Sequence, residues 1–176
     1  MARQQKQVTV EAGHVSEPVK SLFDTVAAYL DTADWNYSAF EDKGYFSAGC
    51  HIKDGNIRVI IDVYEVKDWQ RVIVYSTFPV FVPELRRAAI AESLTRINHR
   101  TVYGNLEMDF KDGEIRVRTT VEAASGLGNT MIERVMDSNF GTANRFFAPL
   151  LAVAFGNAAP DTVLDMAEKH DAATLQ

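Results

Sequence analysis

Four histidines, one cysteine and several strand-borne carboxylates are the residues of this 176-residue chain whose types lend themselves to metal, nucleophilic or acid–base chemistry. No two of His14, His51, His99 and His170 have the spacing of a metal-binding pair, and Cys50, standing alone, cannot form an intramolecular disulfide or a thiolate cluster. His51 is expected opposite Arg58 on the outer face of a hairpin, and His99 ends a helix, where a cation interacts well with the dipole. Both have sufficient structural reasons. Asp62 and Asp109 could pair for proton transfer, yet each falls on the polar face of a strand, where a solvated carboxylate is ordinary.

Motif searches return equally little. The chain has no Gly-x-Ser-x-Gly elbow, no Walker loop and no His-Glu-x-x-His. Gly126-Leu127-Gly128 lacks the third glycine and following lysine of a phosphate cradle, and reads as a flexible lead into a helix. Asn98 lies at a helix end, where asparagine adopts the left-handed conformation or caps carbonyls. The expectation is no catalytic residue, no cofactor and no metal, hence a protein that is not an enzyme.

The elements that would carry these residues follow from hydrophobic period. Ser16 stands as an N-cap with Pro18 in the first turn, and Val19, Leu22, Phe23, Val26, Tyr29 and Leu30 recur at helical spacing to about Thr32. From residue 34 to 78 the period becomes two. A short strand spans 35–41, Gly44 marks a turn, and an alternating run over 45–53 precedes Asp54-Gly55, taken as the two loop residues of a hairpin. That register sets Ile52 against Ile57, Cys50 against Val59, Ala48 against Ile61 and Phe46 against Val63. A strand over 70–78 follows, with Val72, Val74 and Phe78 on one side.

Pro79 and Pro83 are expected to stop the sheet and start a helix over 84–100, apolar along Leu85, Ala89, Ile90, Leu94 and Ile97 and wet along Arg86, Arg87, Glu92 and Arg96. A second hairpin turns on Asp112-Gly113, with Leu106, Met108 and Phe110 on one face and the pairs Asp109 with Arg116 and Glu107 with Arg118 on the other. A long helix runs from Asn129 to about Ala154 on a stripe that includes Ile132, Met136, Phe140, Phe147 and Leu150. Pro149 predicts a kink or break about four residues earlier. One echo stands out: residues 53–59 and 111–117 match at six of seven positions, by duplication or by convergence on one turn chemistry.

The length and an apolar share of 47% fit one domain with a real core. Residues 1–15 read as a flexible lead, 16–156 as a single α+β domain and 157–176 as a loosely attached tail. A net charge of −6 repels polyanions and argues against nucleic acid as partner. With no long apolar run and no signal-peptide core, the chain reads as cytoplasmic and independent of membranes.

Asn98 at the helix end, Gly104 opening a strand, Asp109 near its end and the turn Asp112-Gly113-Glu114-Ile115 together make the chain resemble the YbjN family of bacterial proteins over residues 18–155. That resemblance implies a fold like that of type III secretion chaperones: an antiparallel sheet of five to six strands with helices on one face, in the order α-β-β-β-(β)-α-β-β-α. It implies a sensory-regulator label, a common dimeric state and no catalytic residues.

What remains is a surface. Tyr45, Ile60, Tyr64, Ile73 and Tyr75 fall on the outer face of the first sheet segment, more apolar than a solvated face requires. The leading expectation is a protein-binding module, chaperone-like or regulatory, acting as a homodimer toward an unidentified protein. The alternative is a small-molecule sensor or enzyme with an apolar pocket between the long helix and the sheet, lined by Met136, Phe140 and Phe147.

Overall fold

The computed structural model describes residues 21–124 and 126–174. Helix α1 (Leu22–Thr32) leads into β1 (Tyr37–Phe40), a single 3-10 turn, β2 (Tyr45–Ile52), β3 (Gly55–Val66) and β4 (Trp69–Phe81). Then come α2 (Glu84–Arg100), β5 (Asn105–Met108), β6 (Glu114–Ala123), α3 (Asn129–Phe155) and α4 (Val163–Thr174). The strands form one six-stranded antiparallel sheet in the order β1-β2-β3-β4-β6-β5. The expected α+β class therefore holds, with α4 as an extra helix.

Ser21 caps α1, its hydroxyl accepting from the Asp24 N–H, and the expected cap Ser16 lies outside the described residues. Alternation along the strands separates two faces. Phe46, Ile57, Val59, Ile61, Val72, Val74, Ile115 and Val117 turn to the helices and are almost wholly buried. Helix α3 lays Ile132, Met136, Ala143, Phe147 and Leu150 against them. Pro149 is buried inside α3, which runs without the expected break. Within this core sits one polar cluster: Asn139 accepts from the Ser76 hydroxyl at 2.5 Å and donates to the Val74 carbonyl and the Thr119 hydroxyl at 2.9 and 3.1 Å.

Both hairpins keep the expected faces but shift their partners by two residues. Cys50 opposes Ile57, and Ile52 opposes Gly55, so Lys53-Asp54 form the first loop. Gly55 is needed for space rather than for dihedral freedom, because a Cβ there would lie 2.9 Å from the Phe147 ring. In the second hairpin Met108 opposes Ile115 in the same relative register, so the sequence echo is also a structural one. There Gly113 takes φ +87° and its N–H reaches the Asp109 carbonyl at 2.7 Å. Phe110 consequently leaves the core and is 60% exposed.

Other expectations change for similar local reasons. Pro79 lies inside β4, at the register irregularity between Thr77 and Phe81, where a missing N–H is tolerated. Leu85 is exposed. Arg86, expected in solvent, instead donates to the Val153 and Ala158 carbonyls and ties α2 to the end of α3. The segment after Asn157, expected to be loosely attached, folds into α4 and buries Val163 and Ala167 completely. Asp54 of the first loop meets His170 at 2.6 Å, and Arg145 meets Asp171 at 3.0 Å.

Candidate functional site: the outer sheet face

The helices cover one side of the sheet, and among the described residues the other side is bounded by its own side chains. The strand registers place the expected residues side by side. Across one row lie Tyr45, Asp62, Ile73 and Thr120, and across the next Ser47, Ile60, Tyr75 and Arg118. A third row carries Tyr64, Arg71 and Glu122. All five predicted residues therefore form one contiguous patch on β2, β3 and β4. Tyr64 is 47% exposed, and Tyr45, Ile60, Ile73 and Tyr75 are half-buried among their neighbours.

Those neighbours were not legible as site residues. Phe40 of the edge strand stacks on Tyr45 with ring centroids 4.6 Å apart. The Arg116 guanidinium lies 4.6 Å from the Tyr75 ring centre, and that of Arg71 5.9 Å from Tyr64. The arginines are fixed in turn by carboxylates: Arg71 by Glu122 at 2.5 Å, Arg116 by Glu107 at 3.0 Å and Arg118 by Glu107 at 2.6 Å. Two of these contacts join β5 and β6 to the patch. Aromatic rings beneath paired charges present an amphipathic surface, the composition enriched at protein interfaces.

Asp62 lies within this patch. Burial among Tyr45, Ile60, Ile73 and Tyr75 raises its pKa above the usual carboxylate value, against the lowering influence of the Tyr64 hydroxyl at 3.5 Å and of Arg116. Its charge in turn pushes up the Tyr64 phenol. A partly dehydrated carboxylate ringed by aromatics can receive a donor from a docked molecule.

Several of the remaining sequence candidates find structural partners elsewhere. Asp109 accepts from the Lys111 N–H in the β5–β6 loop, and His51 meets Asn56 at 3.1 Å rather than lying opposite Arg58. Leu127 of the Gly126-Leu127-Gly128 run is buried and donates its N–H to Gln70, so this lead into α3 is anchored. Asn98 does not cap its helix. Its amide grips both main-chain groups of Leu106 at 2.9 Å. His14 lies outside the described residues. Met136 and Phe147 are buried core, Phe147 packs edge-on to Phe78, and Phe140 stacks on Trp35, so these three side chains pack against their neighbours rather than line an open pocket. Among the described residues no cluster of three or more metal-ligating side chains occurs, and no helix is long and apolar enough to cross a membrane.

A family model, YbjN, described as "Putative bacterial sensory transduction regulator", matches residues 22–152. The chain belongs to the YbjN family. That match runs from α1 into the last turn of α3, leaving α4 beyond it. The crystal structure of YbjN from E. coli is similar in fold, with a TM-score of 0.51 at 15% identity, covering 71% of this chain and 90% of that one. The HopA1-SchA chaperone-effector complex gives a TM-score of 0.44 at 15% identity, covering 73% of this chain and 96% of that one. No curated protein matches the chain in sequence. At 15% identity the likeness to the E. coli YbjN structure speaks for the fold alone.

Proposed function

We propose that this YbjN-family chain is a non-enzymatic, cytoplasmic protein-binding module with a regulatory or chaperone-like role, which meets its partner across the outer sheet face and assembles as a homodimer there. One observation carries the reading. With the helices stacked on one side, the opposite side keeps a contiguous patch of Tyr45, Ile60, Tyr64, Ile73 and Tyr75, braced by Arg71 and Arg116. A net charge of −6 supports protein rather than nucleic acid as the partner. An unpaired Cys50, its thiol pushed up by burial, suits a reducing compartment.

Sedimentation equilibrium tests the dimer. The wild-type chain is expected to sediment as a dimer, and Ile73→Asp and Tyr64→Asp as monomers with unchanged circular dichroism. Retention of the wild-type mass by both variants would remove the face from that role.

A further inference from the structure

Strand β5 covers only part of its neighbour. It pairs with β6 from Met108 opposite Ile115 to Asn105 opposite Arg118, whereas β6 runs on to Ala123 against β4. Leu106 turns its N–H and C=O outward to Asn98, so Asn105 and Glu107 are the residues that face β6, and Arg118 and Arg116 answer them. Alternation then directs the main-chain N–H and C=O of Thr120 and Glu122 toward the side where β5 has ended. Among the described residues nothing hydrogen-bonds them there. Such unmet main-chain groups template a further strand.

The space beside this edge is shaped to receive one. A cavity of about 290 Å³ opens between β6 and the first half of α3, with Thr120 and Val121 on one side, Met131 and Val135 on the other, and the charged Arg134 and Asp137 also among its lining. Val121 turns toward the helix layer and is half-buried, and Met131 is 43% exposed. A residue added opposite Val121 would point the same way, onto Met131 and Val135, while its neighbours would point to the outer face beside Thr120 and Glu122. The contrast with the sheet margin itself is informative: the outer edge of β5 is closed by the Asn98 clamp, and this stretch is not.

We infer that residues 119–123 form a peptide-binding edge, at which an extended segment of a partner protein adds as a strand and seats one apolar side chain between β6 and α3. The recognition is main-chain pairing for affinity and a single apolar seat for selectivity, with polar residues on either side of the seated one. Thr120 and Glu122 also border the outer-face patch through their side chains, but the strand pairing uses their main chain and does not depend on that patch.

The test is an NMR titration of the isotope-labelled full chain with the synthetic peptide Thr-Thr-Lys-Leu-Lys-Thr-Thr. Two control peptides carry Asp in place of Leu, or N-methyl groups on the two lysines. The parent peptide is expected to shift amides confined to residues 119–123 and 131–138. The Asp peptide should bind at least about tenfold more weakly, because a charge is poorly tolerated in an apolar seat, and the N-methylated peptide should not bind. Thr120→Pro, which deletes an outward N–H without touching the β4 ladder, and Met131→Asp, on an exposed helix position, should each abolish binding while circular dichroism stays unchanged. Ile73→Asp should bind as wild type. Shifts centred elsewhere, equal binding of the N-methylated peptide, or absence of any binding would overturn the inference. So would protection of the Thr120 and Glu122 amides from exchange in the free chain, which would mean that residues 1–20 or a second copy already hold the edge.

Discussion

Asn98 and Leu106 are joined like two paired strands: the Asn98 amide nitrogen donates to the Leu106 carbonyl and its oxygen accepts the Leu106 N–H, both at 2.9 Å. A side chain at the end of α2 thus substitutes for a missing seventh strand and closes the outer edge of β5. Asn98→Ala should cost about 1–3 kcal/mol, the range for partly buried polar groups left unmet. Faster hydrogen exchange at the Leu106 amide, read against unchanged exchange in β3, checks this assignment. Asn98→Asp should rescue little, since a carboxylate meets the Leu106 N–H but opposes its carbonyl.

The buried cluster around Asn139 makes a second prediction. Asn139→Leu leaves the Ser76 hydroxyl without its acceptor and the Thr119 hydroxyl without a donor in a buried core. A loss of about 2–4 kcal/mol is expected from two or more orphaned polar groups. Urea unfolding should show it as a lower midpoint with unchanged slope. Ser76→Ala should cost less, because it orphans only one acceptor.

Asp62 should make stability depend on pH with a sign opposite to that of a salt-bridged carboxylate. Its pKa is raised in the folded protein, mainly by burial, so the folded state binds the proton more readily than the unfolded one. The favourable protonated contribution is full below the ordinary carboxylate value and is lost as pH rises through the raised one. Asp62→Asn should therefore raise the melting temperature at neutral pH, with the gain shrinking as pH falls through the carboxylate range. A gain that grew on acidification would refute the assignment.

Helix α4 should behave as part of the fold. Val163→Ala is expected to destabilise by about 1–3 kcal/mol, as for truncation of a fully buried aliphatic side chain, and removal of residues 160–176 should lower the melting temperature further. An unchanged melting temperature after that deletion would mean that α4 adds no stability.

How much of this was readable in the sequence can be followed residue by residue. Period alone set the faces of β2, β3, β4, β5 and β6, and a partner shift of two residues leaves faces intact, which is why Tyr45, Ile60, Tyr64, Ile73 and Tyr75 share the face that alternation gives them. The turns differ from expectation because Asp-Gly suggests a loop centred on those two residues, whereas Gly55 pairs with Ile52 beside the Phe147 ring and Gly113 ends a four-residue loop. Arg116 over Tyr75 and Asn98 at Leu106 are contacts across strands or from helix to strand, and no local pattern announces such pairs. Helix α4 leaves little trace in the sequence because its wholly buried residues, Val163 and Ala167, are small and offer little hydrophobic signal.

Photo-crosslinking in cells producing the full chain tests the outer-face assignment most directly. A photoreactive amino acid is placed at Tyr64 or Ile73 on the outer sheet face, and at the exposed Leu85 of α2 as the control. Protein crosslinks, including those to a second copy, are expected from Tyr64 and Ile73 and not from Leu85. Crosslinks from Leu85 alone, with none from the sheet face, would contradict the assignment.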